Sequence, residues 1–350
     1  MQIQTITLNA QRNVTLTAYL QSVGGEFPNI PRRPAILVIP GGGYSMCSDR
    51  EADPVALAYL QAGYQAFVLR YSVGPHAVWP TPLNDYEQAM ELIRSQADAW
   101  NLYPDKVAVV GFSAGGHLAG VAATLSKNRP AAAILGYPVL EGETARQCEA
   151  TAPDLVSAVD GSTCPCFLFA TRTDNIVPIT NTLNFASALA KFGIGFESHI
   201  YAYGPHGFSV GNSSVVLPGT DLCSRAANWV ADSIAWLQDV MGDFGSGALT
   251  EPRCSRRVND DCEPFLSVDC TMSLLMSNPQ ARQVLAPMME AAQKRLSEQY
   301  GDQLAQSEQQ TSMGEGLGAR MTLRTALSYA NLPREMVDKL NAALKQIPNV

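Results

Sequence analysis

The chain has 350 residues, 46% of them apolar and 16% charged, with a formal net charge of −8. That length and composition suit a globular protein with one large domain and a small one. An acidic balance with no basic stripe argues against nucleic acid as a partner, and no apolar run is long enough to form a membrane-spanning helix.

The start, MQIQTITLNA, lacks the basic and apolar segments and the cleavage site of a signal peptide. The cytoplasm is therefore the expected compartment, and the eight cysteines are expected to be reduced thiols. None of them forms a CxxC pair, so the spacing gives little support to a metal site, and no cofactor is implied.

A hairpin is expected first, over Ile3 to Leu8 and Val14 to Leu20. Then come the apolar run Ala35 to Ile39, a helix from Ala52 to Ala62, the run Ala66 to Arg70 and a helix from Tyr86 to Ala97. Further runs cover Val107 to Val110, Ala132 to Leu135, Phe167 to Phe169 and Glu197 to Tyr201, followed by a helix from about Leu222 to Val240. Short apolar runs without alternation fit strands buried on both faces. Their alternation with helices predicts a mainly parallel sheet covered by helices on both sides.

That pattern stops near Gly242. Residues 1–241 are read as the main domain, 242–270 as a linker whose Gly/Ser/Arg/Asp-rich part is Gly242 to Asp261, and 271–350 as a small helical module. In the module Asn278-Pro279, Thr322 and Pro333 mark helix starts. Gly301 to Gly318 reads as a polar mobile loop, and Met336, Val337, Leu340, Leu344 and Ile347 share one helical face. So small an apolar content predicts that the module packs on the main domain or on a second copy of the chain.

Gly111-Phe-Ser113-Ala-Gly115 is a GxSxG motif, entered by the run Val107 to Val110 and left by a helical pattern. A strand, a sharp turn and a helix are what a nucleophile elbow requires, with glycines where side chains would collide with backbone. A serine hydroxyl needs a base. Of the four histidines, His117 lies too close in sequence, His199 lies within a strand and His76 lies in an earlier loop. His206, in the glycine-rich loop after the last strand, is the candidate base. The acid should fall between them in chain order. Asp174 directly follows the strand at Phe167, whereas Asp154 and Asp160 precede it. Donors for an oxyanion are expected from the N–H of Ala114 and from the loop Gly41-Gly42-Gly43, with Gly42 and Gly43 the candidate residues. Tyr44, Trp79 and Phe208 flank this region and could stack on a sugar, although core packing accounts for each equally well. Arg50 could meet a polar substrate group, a structural ion pair being the plainer reading.

The stretches PGGGYSMCSDREADPVALAYLQAGYQAFVLRYSVGP, WPTPLNDYEQAMELIR, VAVVGFSAGGHLAG, TDNIVP and YGPHGFS spread over most of residues 35 to 240. In them the chain resembles the bacterial carbohydrate acetyl esterases of the α/β-hydrolase superfamily, close to the feruloyl/acetylxylan esterase type. The resemblance implies an α/β-hydrolase fold and places nucleophile, acid and base on Ser113, Asp174 and His206, with the oxyanion loop on Gly41 to Gly43. It implies an acetylated oligosaccharide, derived from xylan or mannan, as the substrate. Two other classes stay open: a peptidase or amidase on the same triad, and a ligand-binding protein on a hydrolase scaffold.

Overall fold

The structure is a computed structural model that describes residues 1–244, 250–300, 316–329 and 332–349. The chain divides into two compact units, Met1–Arg256 and Arg257–Val350.

The first unit is built on one eight-stranded sheet. Its strands are β1 (Gln2–Asn9), β2 (Val14–Leu20), β3 (Arg33–Ile39), β4 (Gln65–Arg70), β5 (Leu102–Phe112), β6 (Ala133–Gly136), β7 (Cys166–Thr171) and β8 (Phe196–Tyr201). They lie in the order β1-β2-β4-β3-β5-β6-β7-β8. The β1–β2 hairpin and the β2–β4 pair are antiparallel, and every other pairing is parallel.

Each inner strand feeds two cores because successive side chains point to opposite faces. Ala35, Leu37 and Ile39 of β3 join Phe67, Leu69, Val107 and Val109 on one side. Ile36 and Val38 join Ala66, Val68, Ala108 and Val110 on the other. Helices α2 (Thr81–Ser95), α3 (Ser113–Thr124) and α5 (Thr180–Lys191) close the first core through Tyr86, Met90, Leu118 and Phe185. Helices α1 (Asp53–Gln61) and α6 (Trp229–Met241) close the second through Val55, Tyr59, Trp229 and Leu237. Burial on both faces is why the strands read as unbroken apolar runs. A short helix, α4 (Gly142–Cys148), follows β6.

Two helix starts differ from expectation. Helix α2 begins at Thr81, with Pro82 in its first turn, rather than at Tyr86. Helix α6 begins at Trp229 rather than near Leu222. The Cys223 N–H donates to the Tyr203 carbonyl at 3.2 Å, which ties residues before the helix to the loop after β8.

The second unit contains α7 (Met272–Ser277), α8 (Pro279–Tyr300), α9 (Leu323–Tyr329) and α10 (Arg334–Leu344). Asn278 caps α8 as its sequence suggests, its Oδ1 accepting from the N–H groups of Gln280 and Ala281 at 2.9 and 3.0 Å. The unit starts earlier than the expected boundary. Leu266, Val268 and Cys270 belong to its core with Leu275, Leu285 and Leu323, so the C-terminal part of the stretch read as linker packs inside the unit. The 245–249 part of that stretch lies outside the described residues, as does 301–315 of the expected mobile loop. Gly316–Arg320 of the same region forms a 3₁₀ turn. Leu344 at the end of α10 and Ile347 just beyond it enter the core while Met336 is 55% exposed, so the apolar face is narrower than its spacing suggests. Among the described residues no helix is long and apolar enough to cross a membrane.

Candidate active site

Strand β5 ends at Phe112 and α3 begins at Ser113, with no residue between them. The turn is possible because Gly111 and Gly115 lack side chains. A Cβ on Gly111 would stand 2.3 Å from the Gly115 carbonyl oxygen, and one on Gly115 would stand 2.2 Å from the Ile39 carbonyl oxygen. Ser113 itself takes φ 52°, the left-handed region that L-residues avoid. The helix that starts beneath it leaves the first N–H groups without intrahelical acceptors, that of Ala114 among them.

His206 stands in the loop after β8 and its Nε2 lies 2.8 Å from Ser113 Oγ. Its Nδ1 lies 2.7 Å from Asp174 Oδ2. Asp174 follows β7, and its other oxygen accepts from the Ile176 and Val177 N–H groups at 2.9 and 3.0 Å. Those two bonds fix the rotation of the carboxylate. A carboxylate oxygen facing Nδ1 accepts its proton, which leaves the Nε2 lone pair toward the serine hydroxyl. Asp154 and Asp160 are spent elsewhere. Asp154 accepts from the Gly142 and Val156 N–H groups, and Asp160 closes a turn with Ser162 and Thr163.

The loop after β3 abuts this turn. A Cβ on Gly41 would lie 3.0 Å from the Ser113 Cβ. Gly42 and Gly43 have φ 131° and 60°, and Gly42 could carry no side chain because a Cβ would sit 2.2 Å from the Met46 carbonyl oxygen. The Gly41 N–H is already bound to Glu51 Oε2 at 2.8 Å. Those of Gly42 and Gly43 have no protein acceptor among the described residues. The arrangement can therefore deprotonate a serine, hold an attacked carbonyl and offer free N–H donors to the oxygen. No cluster of metal-ligating side chains occurs among the described residues.

The expected aromatic platform is largely absent. Tyr44 is only 2% exposed and Phe208 also 2%, so neither ring face can stack on a sugar. Phe208 packs on Tyr137 with ring centroids 5.0 Å apart. Tyr44 stands edge-on to Tyr71, Trp79 and His117. Trp79 remains half-buried, and its indole N–H has no protein partner among the described residues. Arg50 makes no ion pair among the described residues and donates instead to the Val215 carbonyl at 3.3 Å. Sequence reasoning also missed Glu51, a 3% exposed carboxyl that bonds the Gly41 N–H and the Tyr137 hydroxyl.

His117 is structural. Its Nε2 lies 2.9 Å from the Pro153 carbonyl, which can only accept, so Nε2 carries the proton and Nδ1 accepts from the Tyr44 hydroxyl at 2.8 Å. Burial, only partly offset by the Pro153 bond and by Asp154 and Glu149, pulls its pKa down to about 4. The unfolded chain therefore binds the extra proton first as pH falls. The neutral ring's contribution to stability is complete above about 6.5 and is lost between there and about 4, amounting to about 3 kcal/mol. Denaturant midpoints measured across that window should fall for the wild type and fall less steeply for His117→Gln. Equal slopes in the two proteins would mean His117 does not titrate in this way.

A family profile designated BD-FAE matches residues 28–144. MGS-M1, an α/β-hydrolase enzyme from a Medee basin deep-sea metagenome library, is 45% identical over 69% of this chain and 98% of that one, with a TM-score of 0.63. The acetylxylan esterase of Xylanibacter ruminicola is 31% identical over 233 residues, 59% of this chain and 48% of that protein. Endo-1,4-beta-xylanase B of Butyrivibrio fibrisolvens is 33% identical over 211 residues, 52% of this chain and 33% of that protein. The chain thus spans between a third and about half the length of these two curated relatives. It belongs to the α/β-hydrolase superfamily.

Proposed function

We propose that the chain is a serine esterase that removes acetyl groups from xylan- or mannan-derived oligosaccharides through an acyl-enzyme. The observation that carries this reading is the unbroken chain Asp174–His206–Ser113, with bonds of 2.7 and 2.8 Å, beside N–H groups of Gly42 and Gly43 that have no protein acceptor among the described residues. Similarity to a protein named acetylxylan esterase supports an acetylated glycan as the acyl donor.

In this reading Ser113 Oγ attacks the acetyl carbonyl carbon while its proton passes to His206 Nε2. The carbonyl oxygen becomes an oxyanion, stabilised by the N–H groups of Ala114, Gly42 and Gly43. Collapse breaks the bond to the sugar oxygen, which leaves with the proton from His206. Water then attacks the acetyl-serine, again giving a proton to His206, and acetate departs as Ser113 Oγ regains it. Asp174 holds the imidazole in the required tautomer and stabilises its charged form.

The test is acetate release from acetylated xylo- and manno-oligosaccharides, run beside 4-nitrophenyl acetate and a peptide anilide. Acetate from at least one glycan and an inert anilide are expected. Cleavage of the anilide with no glycan deacetylated would replace the esterase with a peptidase.

A further inference from the structure

The acyl-transfer machinery proposed above leaves the buried carboxyl of Glu51 unused, though it lies beside the glycine loop. Glu51 closes the 3₁₀ turn Asp49–Glu51 just before α1, and its side chain points inward between three segments that each carry part of the site. Its Oε2 accepts the Gly41 N–H at 2.8 Å. Its Oε1 accepts the Tyr137 hydroxyl at 2.7 Å. Tyr137 follows β6, itself accepts the Ser209 N–H at 3.0 Å, and stands edge-on to the His206 ring with centroids 4.9 Å apart. One carboxyl thus joins the glycine loop, the end of β6 and the loop that carries the base.

Burying a carboxyl is costly unless both oxygens find donors. Here both do, and burial still pushes the acid's pKa up, against the pull of those two bonds and of His206 and Arg50. A purely apolar side chain would fill the space at less cost, so the polar contacts need a reason. The glycine loop supplies it. Three successive glycines have little conformational preference of their own, and the loop must present two N–H groups at one point. Gly41 is the residue wedged hardest against the elbow, since a Cβ there would meet both Glu51 Oε2 and the Phe112 carbonyl at 2.7 Å. Tying its N–H to Glu51 sets the direction of the next two peptides.

We infer that Glu51 is a positioning residue, which aims the Gly42 and Gly43 N–H groups at the oxyanion and, through Tyr137, braces the ring of His206. The inference rests on the esterase reading. Oxyanion donors act in the transition state more than in the bound substrate, so their misplacement lowers kcat and leaves KM nearly unchanged.

The experiment compares Glu51→Ala, Glu51→Asp and Glu51→Gln with the wild type on 4-nitrophenyl acetate, with thermal melts to select folded variants. Glu51→Ala frees Gly41, and Glu51→Asp keeps the charge but falls short by a methylene. Both should lose about 10- to 100-fold in kcat with KM within about 3-fold. Affinity for an arylboronic acid, a tetrahedral mimic, should fall in parallel. Glu51→Gln can still accept from Gly41 with its carbonyl while its amide donates to the Tyr137 oxygen, so it should stay within about 5-fold of wild type. If Glu51→Ala does not fold, Glu51→Asp carries the comparison. A folded Ala or Asp variant with wild-type kcat, a loss confined to KM, or a Gln variant as impaired as the other two would overturn the role of Glu51. A wild-type protein inert toward the ester would instead overturn the esterase reading itself.

Discussion

Ser113→Ala should yield a protein that folds and melts like the wild type but turns over 4-nitrophenyl acetate at least about 10³-fold more slowly. The size of the effect follows from the geometry. No other hydroxyl shares the elbow, and His206 Nε2 is committed to Ser113 Oγ at 2.8 Å. With the oxygen gone, the base can only activate water, and no acyl-enzyme can form at this position. The fold is insensitive because alanine keeps the Cβ and the surrounding glycines are untouched. Burst kinetics on the wild type, with one equivalent of nitrophenolate released before steady state, would identify the acyl-enzyme directly. Substantial turnover by the alanine variant would remove Ser113 as nucleophile.

Asp174→Asn should cost on the order of 10³- to 10⁴-fold in kcat while leaving the melting temperature nearly unchanged. The bonding around the side chain explains why so small a change matters. Ile176 and Val177 both donate to Oδ1, so an asparagine must turn its oxygen to them and its amide nitrogen to His206. The ring then has to accept at Nδ1 and carries its proton on Nε2, facing the serine with nothing to take its hydrogen. Asp160→Asn is the internal control, since that residue closes a local turn with Ser162 and Thr163 and pairs with Arg129, away from His206. The comparison fails for Asp174 if the Asp160 variant proves the weaker enzyme.

The sheet was legible because its strands are buried on both faces, which leaves runs such as Ala35 to Ile39 with no polar interruption. The elbow was legible for a steric reason, since Gly111 and Gly115 stand where a single methylene would strike backbone oxygen. Chain order and loop position singled out Asp174 and His206, the pair the structure brings to Ser113. Burial was the part that could not be read. Tyr44 and Phe208 sit beside site residues in the sequence, but their rings turn into the core, and adjacency along a chain does not specify which way a side chain points. Glu51 left no trace because one carboxylate among many surface acids has no signature until its partners, 10 and 86 residues away, are known. The start of the second unit did leave a signal. Leu266, Val268 and Cys270 alternate with polar neighbours, a period-two pattern hidden by the polar composition just before it.

The positive φ of Ser113 sets folding and chemistry against each other at a single atom group. Any residue with a Cβ carries a conformational penalty there of about 1 kcal/mol or more, and alanine carries it as fully as serine. Only glycine escapes, and glycine has no hydroxyl. Random mutagenesis screened for heat resistance alone should thus favour glycine at this position, whereas a screen for turnover should retain serine. The same twist lifts the oxygen clear of the sheet, so an idle copy of this gene would drift toward glycine at 113 without harm to its fold.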